Sequence, residues 1–228
     1  MNNKKVLGIC IPYYKNSEEC EREFEILMSW IMKQLTDDMI LYVYEDGQVS
    51  DWLWELKKDK SNFLLTSNPI NKGVAYARNV MLDELIDKVL YILFLDSDDY
   101  IEEDYLTKMY EYCADNSHDV IESTFYVNYY KQEFIRDKVR SGVAGSALKT
   151  NIIGKHRFDE KLQIGEDTKF MNEVIDLSKH RKKYCPTTYY YQLGINPNSL
   201  IKRYERNEIK VERESEKNGK RNSKNKSK

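Results

Sequence analysis

Leu93-Phe94-Leu95-Asp96-Ser97-Asp98-Asp99-Tyr100 is an apolar run that ends in three carboxylates. Val89 to Leu95 has the length and β-prone composition of a central strand covered on both faces. Acids crowded at the end of such a strand repel one another and lose hydration, so a positive group is expected beside them. Asp oxygens suit a hard divalent cation, Mn²⁺ or Mg²⁺, which keeps waters and shares its shell with phosphates. The same acids would also serve as a helix N-cap. In that reading Asp98 or Asp99 precedes a helix beginning near Glu102, with Glu102, Glu103 and Asp104 at its positive end. The rest of the chain decides between the two.

Upstream, Val6 to Tyr14 reads as a strand stopped by Pro12. Ser17 is placed to cap a helix whose Cys20, Phe24, Leu27, Met28, Ile31 and Leu35 recur every three or four residues. Met39 to Tyr44 is a second strand, closing on Glu45-Asp46-Gly47. Trp52, Leu53 and Leu56 suggest a short helix, and Phe63-Leu64-Leu65 a third strand. The turn-rich Asn68-Pro69-Ile70-Asn71-Lys72-Gly73 leads into a helix lined by Val74, Ala77, Met81 and Leu85. This rhythm predicts an α/β fold with right-handed crossovers, and ligands in such sheets sit outside the carboxyl ends of the strands.

Downstream, Tyr105, Leu106, Met109, Tyr110 and Cys113 make another helix, and Asp119 to Tyr130 alternates as a strand with one exposed face. Ser141 to Ser146 is a small-residue stretch that allows close backbone approach. Phe158-Asp159-Glu160 is a loop; Gly165-Glu166-Asp167 opens a helix carrying Phe170, Met171, Val174 and Ile175. Thr187 to Gln192 is a last strand, and Asn196 to Ser199 a turn. With no repeat or linker before about residue 202, residues 1–201 are expected to form one domain. Residues 202–228 are expected to be a charged tail.

Of the residues, 41% are apolar and 32% charged, which excludes a chain disordered overall, and no apolar stretch is long enough to span a bilayer. The N-terminus lacks the apolar core of a signal peptide. Cys10, Cys20, Cys113 and Cys185 lie far apart, as reduced, mostly buried thiols and not as a zinc site or disulfide frame. A cytoplasmic protein is expected, with peripheral contact at the inner membrane face left open. The net charge of −2 conceals an asymmetry: residues 202–228 hold eleven Lys or Arg against five Glu. Lys217 to Lys228 is built only from Lys, Arg, Asn, Ser and Gly and is expected to be disordered. Such a basic tail is either a solubilising end or a contact for an anionic polymer or membrane.

Taken in order, Ile9-Cys10-Ile11-Pro12-Tyr13-Tyr14, Tyr44-Glu45-Asp46-Gly47, Asn71 to Asn79, Phe94 to Asp99, and Phe158-Asp159-Glu160 with Gly165-Glu166-Asp167 resemble the motifs of a family-2 glycosyltransferase of the GT-A fold. Tyr189 to Gln192 and Asn198-Ser199-Leu200 add a weaker echo. The resemblance implies a GT-A-like domain with a mixed, mostly parallel central sheet flanked by helices. Its first hundred residues would bind a nucleotide-diphosphate sugar, with UDP the expected nucleotide. Residues 101–201 would bind a saccharide or polymer acceptor. Asp46 would accept from the base, with Pro12 and Tyr13 packed beside it, Tyr13 as a stacking ring or else a core-edge tyrosine. Asn71 and Gly73 would help bind the nucleotide-sugar, and Arg78 would lie near the nucleotide, able to offer a fork to phosphate unless it pairs with a nearby acid.

By the same resemblance Asp98 holds the metal, Asp96 reaches the metal shell or the ribose, and Asp99 caps the next helix or supports the shell. Asp167, with Glu166 beside it, is the base that takes a proton from the attacking hydroxyl, so that the configuration inverts. Gly145 and Ser146 are expected on the acceptor side. Two departures stand out: Ser146 follows Gly145 where relatives often carry a basic residue, and Leu193-Gly194-Ile195-Asn196 lacks the late metal-binding histidine. His118, His156 and His180 lie elsewhere. Two other readings compete: a non-catalytic member that binds nucleotide-sugar or polysaccharide, and a nucleotidyltransferase. The second is disfavoured because Pro12-Tyr13-Tyr14-Lys15-Asn16 has no glycine.

Overall fold

The computed structural model describes residues 4–129, 132–135, 142–176 and 179–192, with 202 and 206. The expected turn at Asn196–Ser199, the loop Leu193–Asn196, the echo at Asn198–Leu200, Ser141 and nearly all of the tail lie outside these residues. The elements in order are β1 (Lys5–Tyr13), α1 (Glu18–Gln34), β2 (Met39–Asp46), α2 (Asp51–Lys57), β3 (Phe63–Asn68), α3 (Val74–Leu85) and β4 (Val89–Phe94). Then come β5 (Tyr100–Ile101), α4 (Tyr105–Ala114), β6 (Val120–Tyr129), β7 (Gln132–Ile135), β8 (Ser146–Lys149), α5 (Thr150–Ile153), α6 (Glu166–Val174) and β9 (Lys182–Tyr191).

One mixed sheet runs through the described residues in the order β3-β2-β1-β4-β8-β6-β9-β5, with β7 added to β6. The first four neighbours are all parallel, as the βαβ rhythm predicts, and most paired residues lie in parallel ladders. β8 joins β4 and β6 antiparallel. The central strands are buried on both faces, by two apolar layers. One holds Phe24, Leu27 and Ile31 of α1 with Leu106 and Met109 of α4; the other holds Met81 and Leu85 of α3 with Phe170 and Val174 of α6.

Ser17 caps α1 as expected, its hydroxyl accepting from the Cys20 N–H at 3.1 Å. All four cysteines are buried and unpaired. Pro12 does not stop β1, which continues to Tyr13. Pairing with β4 has already ended at Cys10 and Phe94, so Pro12 has only β2 beside it, a position that tolerates the missing N–H. The helix after the acidic turn begins at Tyr105, not near Glu102, because Tyr100–Ile101 pairs with β9 and Glu102 is tied to the same strand. β9 starts five residues before Thr187, and a register shift between Ser123 and Thr124 of β6 admits Pro186.

Candidate active site

The C-terminal end of β4, the buried side of α3 and the N-terminal end of α6 meet in one group of charged side chains. Arg78, on the buried side of α3, stands at its centre. Its guanidinium donates to Asp96 Oδ1 at 2.9 Å and to Glu166 Oε1 at 2.8 Å, and its Nε has no partner. The arginine is 4% exposed and lies over the Phe158 ring. The pairing with nearby acids, weighed against a phosphate contact at the sequence level, is therefore present, and it fastens β4 to α6.

Around this pair the acids differ in their surroundings. Asp99 is buried: its Oδ1 accepts from the Gln192 N–H at 2.8 Å and its Oδ2 from the Tyr189 hydroxyl. Burial, then the charges of Asp98 and Asp96, raise its proton affinity well above the usual carboxylate range. Asp99 caps no helix; it secures the turn, and α4 has Asp104 at its N-cap position. The Tyr189 hydroxyl also accepts from the Asp96 N–H at 3.0 Å, so one tyrosine fixes both ends of the acidic turn.

Asp98 is half-buried and meets no Lys or Arg among the described residues. Burial first, and then the Asp96 charge, push its carboxyl up to about 7. No group of three or more His, Cys, Asp or Glu among the described residues is arranged to enclose a metal ion. The donors fit a divalent cation nonetheless, in the manner of sites with one or two carboxylates completed by phosphate and water. An uncompensated carboxylate next to a second one is a charge that such an ion relieves.

Asp167 opens α6. Its Oδ1 accepts from the Thr168 N–H at 2.6 Å, and its Oδ2 faces Gly142, where an added Cβ would lie 3.1 Å away. Burial raises its proton affinity against the pull of Arg78. Glu166 is more deeply buried, and burial raises it too, again opposed by Arg78. A carboxylate with raised proton affinity is better suited to accept a hydroxyl proton near neutral pH.

On the β2 side Asp46 is 4% exposed and accepts from the backbone N–H groups of Lys72 and Gly73, each at 2.7 Å. It thereby holds the loop carrying Asn71, where Gly73 takes φ +94°, a conformation suited to glycine. Tyr13 is fully buried, its ring 4.2 Å from that of Phe24 and its hydroxyl unpartnered. Of the two expectations for Tyr13, the structure places the ring in the core. The exposed aromatic at this edge is Tyr14, whose ring would touch a Cβ added at Gly47, as would Asn71. Ser146 is fully buried in β8, its hydroxyl unpartnered, while the Gly145 carbonyl accepts from Tyr105 and Ser123. Neither residue presents a side chain to solvent.

Sequence reasoning missed several contributors. Asn79 holds the Phe158 backbone at both N–H and C=O, at 2.8 and 3.0 Å, and donates to Glu160. Tyr14, Tyr189 and Gly142 were visible only as members of longer motifs. None of the three histidines joins the group: His118 contacts Ser117, His156 approaches Glu173, and His180 accepts from the Asp176 N–H. No helix among the described residues is long and apolar enough to cross a membrane.

Residues 9–181 match the profile of Glycosyl transferase family 2. The poly(ribitol-phosphate) beta-N-acetylglucosaminyltransferase TarP of Staphylococcus aureus is 28% identical over 118 residues, 51% of this chain and 36% of the relative. Among solved structures, S. aureus TarS 1-349 in complex with UDP-GlcNAc superposes with a TM-score of 0.67 at 19% identity, covering 83% of this chain and 59% of that one. The mannosyltransferase PcManGT of Pyrobaculum calidifontis, with GDP-Man and Mn²⁺, gives 0.62 at 13% identity, over 85% and 58%. The sheet with its flanking helices is thus a GT-A fold. The chain spans between about a third and a half of the length of the curated relatives it matches.

Proposed function

The chain belongs to glycosyl transferase family 2, and from that premise we propose that it transfers a sugar from a UDP-linked donor to a hydroxyl of a saccharide or polymer acceptor. The reaction is metal-dependent and inverts the anomeric centre. The observation that carries the proposal is Arg78 clamped between Asp96 and Glu166, which joins the acidic turn to the helix end bearing Asp167. Support for a UDP-sugar and a polymer acceptor comes from TarS, solved with UDP-GlcNAc, and from TarP, named for poly(ribitol-phosphate).

Asp46, with the loop it holds, and Tyr14 frame the base; Asn71 and Gly73 border the diphosphate. Pro12 shapes the rim beside the base through the backbone. Tyr13 supports that rim from the core. Asp98, with Asp96, would hold Mn²⁺ or Mg²⁺, which when bound neutralises charge growing on the departing diphosphate. Asp167 removes the proton from the acceptor hydroxyl while that oxygen attacks the anomeric carbon from the face opposite the diphosphate. Glu166 keeps Arg78 in place, and Arg78 steadies Asp96. Gly145 and Ser146 shape the acceptor side through the backbone. Residues 1–201 act as the transferase domain, and the basic residues of 202–228 reach an anionic polymer or membrane surface.

The test is a donor screen: the protein with metal and a panel of UDP-, GDP- and dTDP-sugars, scored by released nucleotide. UDP release that requires metal and disappears in Asp167→Asn supports the proposal. Metal-independent release, or UDP binding without turnover on any donor or acceptor, refutes it. The latter outcome would favour a non-catalytic binder.

A further inference from the structure

Tyr189, Phe125 and Tyr191 form an aromatic group running from the acidic turn to the margin of the apolar core, against which Phe125 and Tyr191 pack. The Phe125 ring stacks on Tyr189 at 5.6 Å and 16°, and on Tyr191 at 5.3 Å and 26°. Exposure rises along the group: Tyr189 is fully buried, while Phe125 and Tyr191 are only half-buried. Side chains two apart on a strand share a face, so Tyr191 lies on the side from which Tyr189 grips Asp99 and the Asp96 N–H. The next residue, Gln192, donates its backbone N–H to Asp99, fixing the chain just beyond Tyr191. Burial first, and then the charges of Asp96, Asp99, Asp98 and Asp167, raise the proton affinity of the Tyr191 phenol, so the ring lies near these acids.

We propose that Tyr191, backed by Phe125, is the platform on which a neutral pyranose ring of the acceptor is seated, so that one of its hydroxyls faces Asp167. This rests on the transfer reading above, which takes from TarP only that the acceptor is polymeric, and it names the acceptor unit as a ring sugar in place of the ribitol in that relative's name. An aromatic face carries negative quadrupole density, which attracts the polarised C–H bonds on one side of a pyranose and offers little to an open-chain polyol. Position favours the acceptor over the donor sugar: Phe125 and Tyr191 belong to β6 and β9, across the acidic turn from Asp46 and the loop it holds. A neutral ring also suits the place, where carboxylates outnumber the one arginine among the described residues.

The test is saturation-transfer NMR on the full chain loaded with UDP and Mg²⁺. The probes are the methyl pyranosides of glucose, galactose and N-acetylglucosamine, with ribitol as the open-chain control. At least one pyranoside is expected to show saturation concentrated on one ring face, well above ribitol. Tyr191→Leu should reduce it to the ribitol level, and Tyr191→Phe should retain it. If Tyr191→Leu does not fold, Phe125→Leu removes the backing ring and is expected to weaken the signal. Equal saturation of ribitol and all pyranosides overturns the proposal, as does a signal unchanged in Tyr191→Leu or lost in Tyr191→Phe. The UDP-induced rise in Tm separates the two levels. If wild type shows it while every pyranoside fails, only the platform falls; if wild type shows none, the donor reading falls.

Discussion

Replacing Arg78 with methionine would leave two carboxylates in the interior with nothing to balance them. The side chains are 5% exposed for Arg78, 9% for Glu166 and 27% for Asp96, so the pairing with Glu166 is far from solvent screening. Breaking a buried pair by removing one partner costs about 3–5 kcal/mol. Most of that loss falls on Glu166, since Asp96 keeps access to water. The deficit also has a pH signature. Burial already raises the proton affinity of Glu166 in the folded state, and loss of the guanidinium raises it further. A carboxyl raised on folding binds its proton more tightly in the native state than in the unfolded one. It is therefore least harmful at acid pH, and stability is lost as pH rises from the ordinary Glu value through the raised one. Urea unfolding of wild type and Arg78→Met at about pH 5 and about pH 8 should show a larger deficit at the higher pH. Adding Glu166→Gln to Arg78→Met should restore roughly 1–3 kcal/mol. A deficit below about 1 kcal/mol, or one identical at both pH values, would refute a role for Arg78 as the counter-charge of the cluster.

Three further outcomes follow from the geometry. Asp167→Asn should lower transfer by about 10²–10⁴-fold while leaving the UDP-induced rise in Tm intact, because the proposed role of Asp167 is to accept the hydroxyl proton and not to hold the nucleotide. Asp46→Ala removes both acceptors of the Lys72 and Gly73 N–H groups and should abolish most of the Tm rise caused by UDP, read by thermal shift. Mg²⁺ with UDP should stabilise the protein more at about pH 7.5 than at about pH 5.5, since Asp98, raised to about 7, is held by a proton on the acid side and must release it to bind a cation. A cation effect of equal size at both values would remove Asp98 as its ligand.

Much of this was legible from residues alone. The strand ending in Asp96-Ser97-Asp98-Asp99, the cap at Ser17 and the parallel run of β1 to β4 follow from hydrophobic runs and turn residues, which are local signals. What escaped depends on partners distant in sequence. The resemblance placed Arg78 near the nucleotide, but its inward face shows only when Ala75, Arg78, Asn79 and Leu82 are read as one buried stripe of α3. Asn79, a polar residue on that stripe, was the available signal for the Phe158 loop. Tyr13 and Tyr14 are adjacent and alike, and strand alternation alone cannot say which enters the core. In sequence Asp99 looks like a helix cap or a support for the metal shell, because its hydrogen-bond donors, the Tyr189 hydroxyl and the Gln192 N–H, arrive from the end of β9 some ninety residues later. The short strands β5 and β8 carry too few residues to announce a period.

The most direct test is Mn²⁺ binding to the UDP-loaded protein, followed by electron paramagnetic resonance. One tight site is expected in wild type and in Asp167→Asn, and it should be lost in Asp98→Ala. Mn²⁺ bound as tightly in Asp98→Ala, or UDP-sugar turnover undiminished in excess EDTA, would contradict a cation held with the diphosphate at the end of β4.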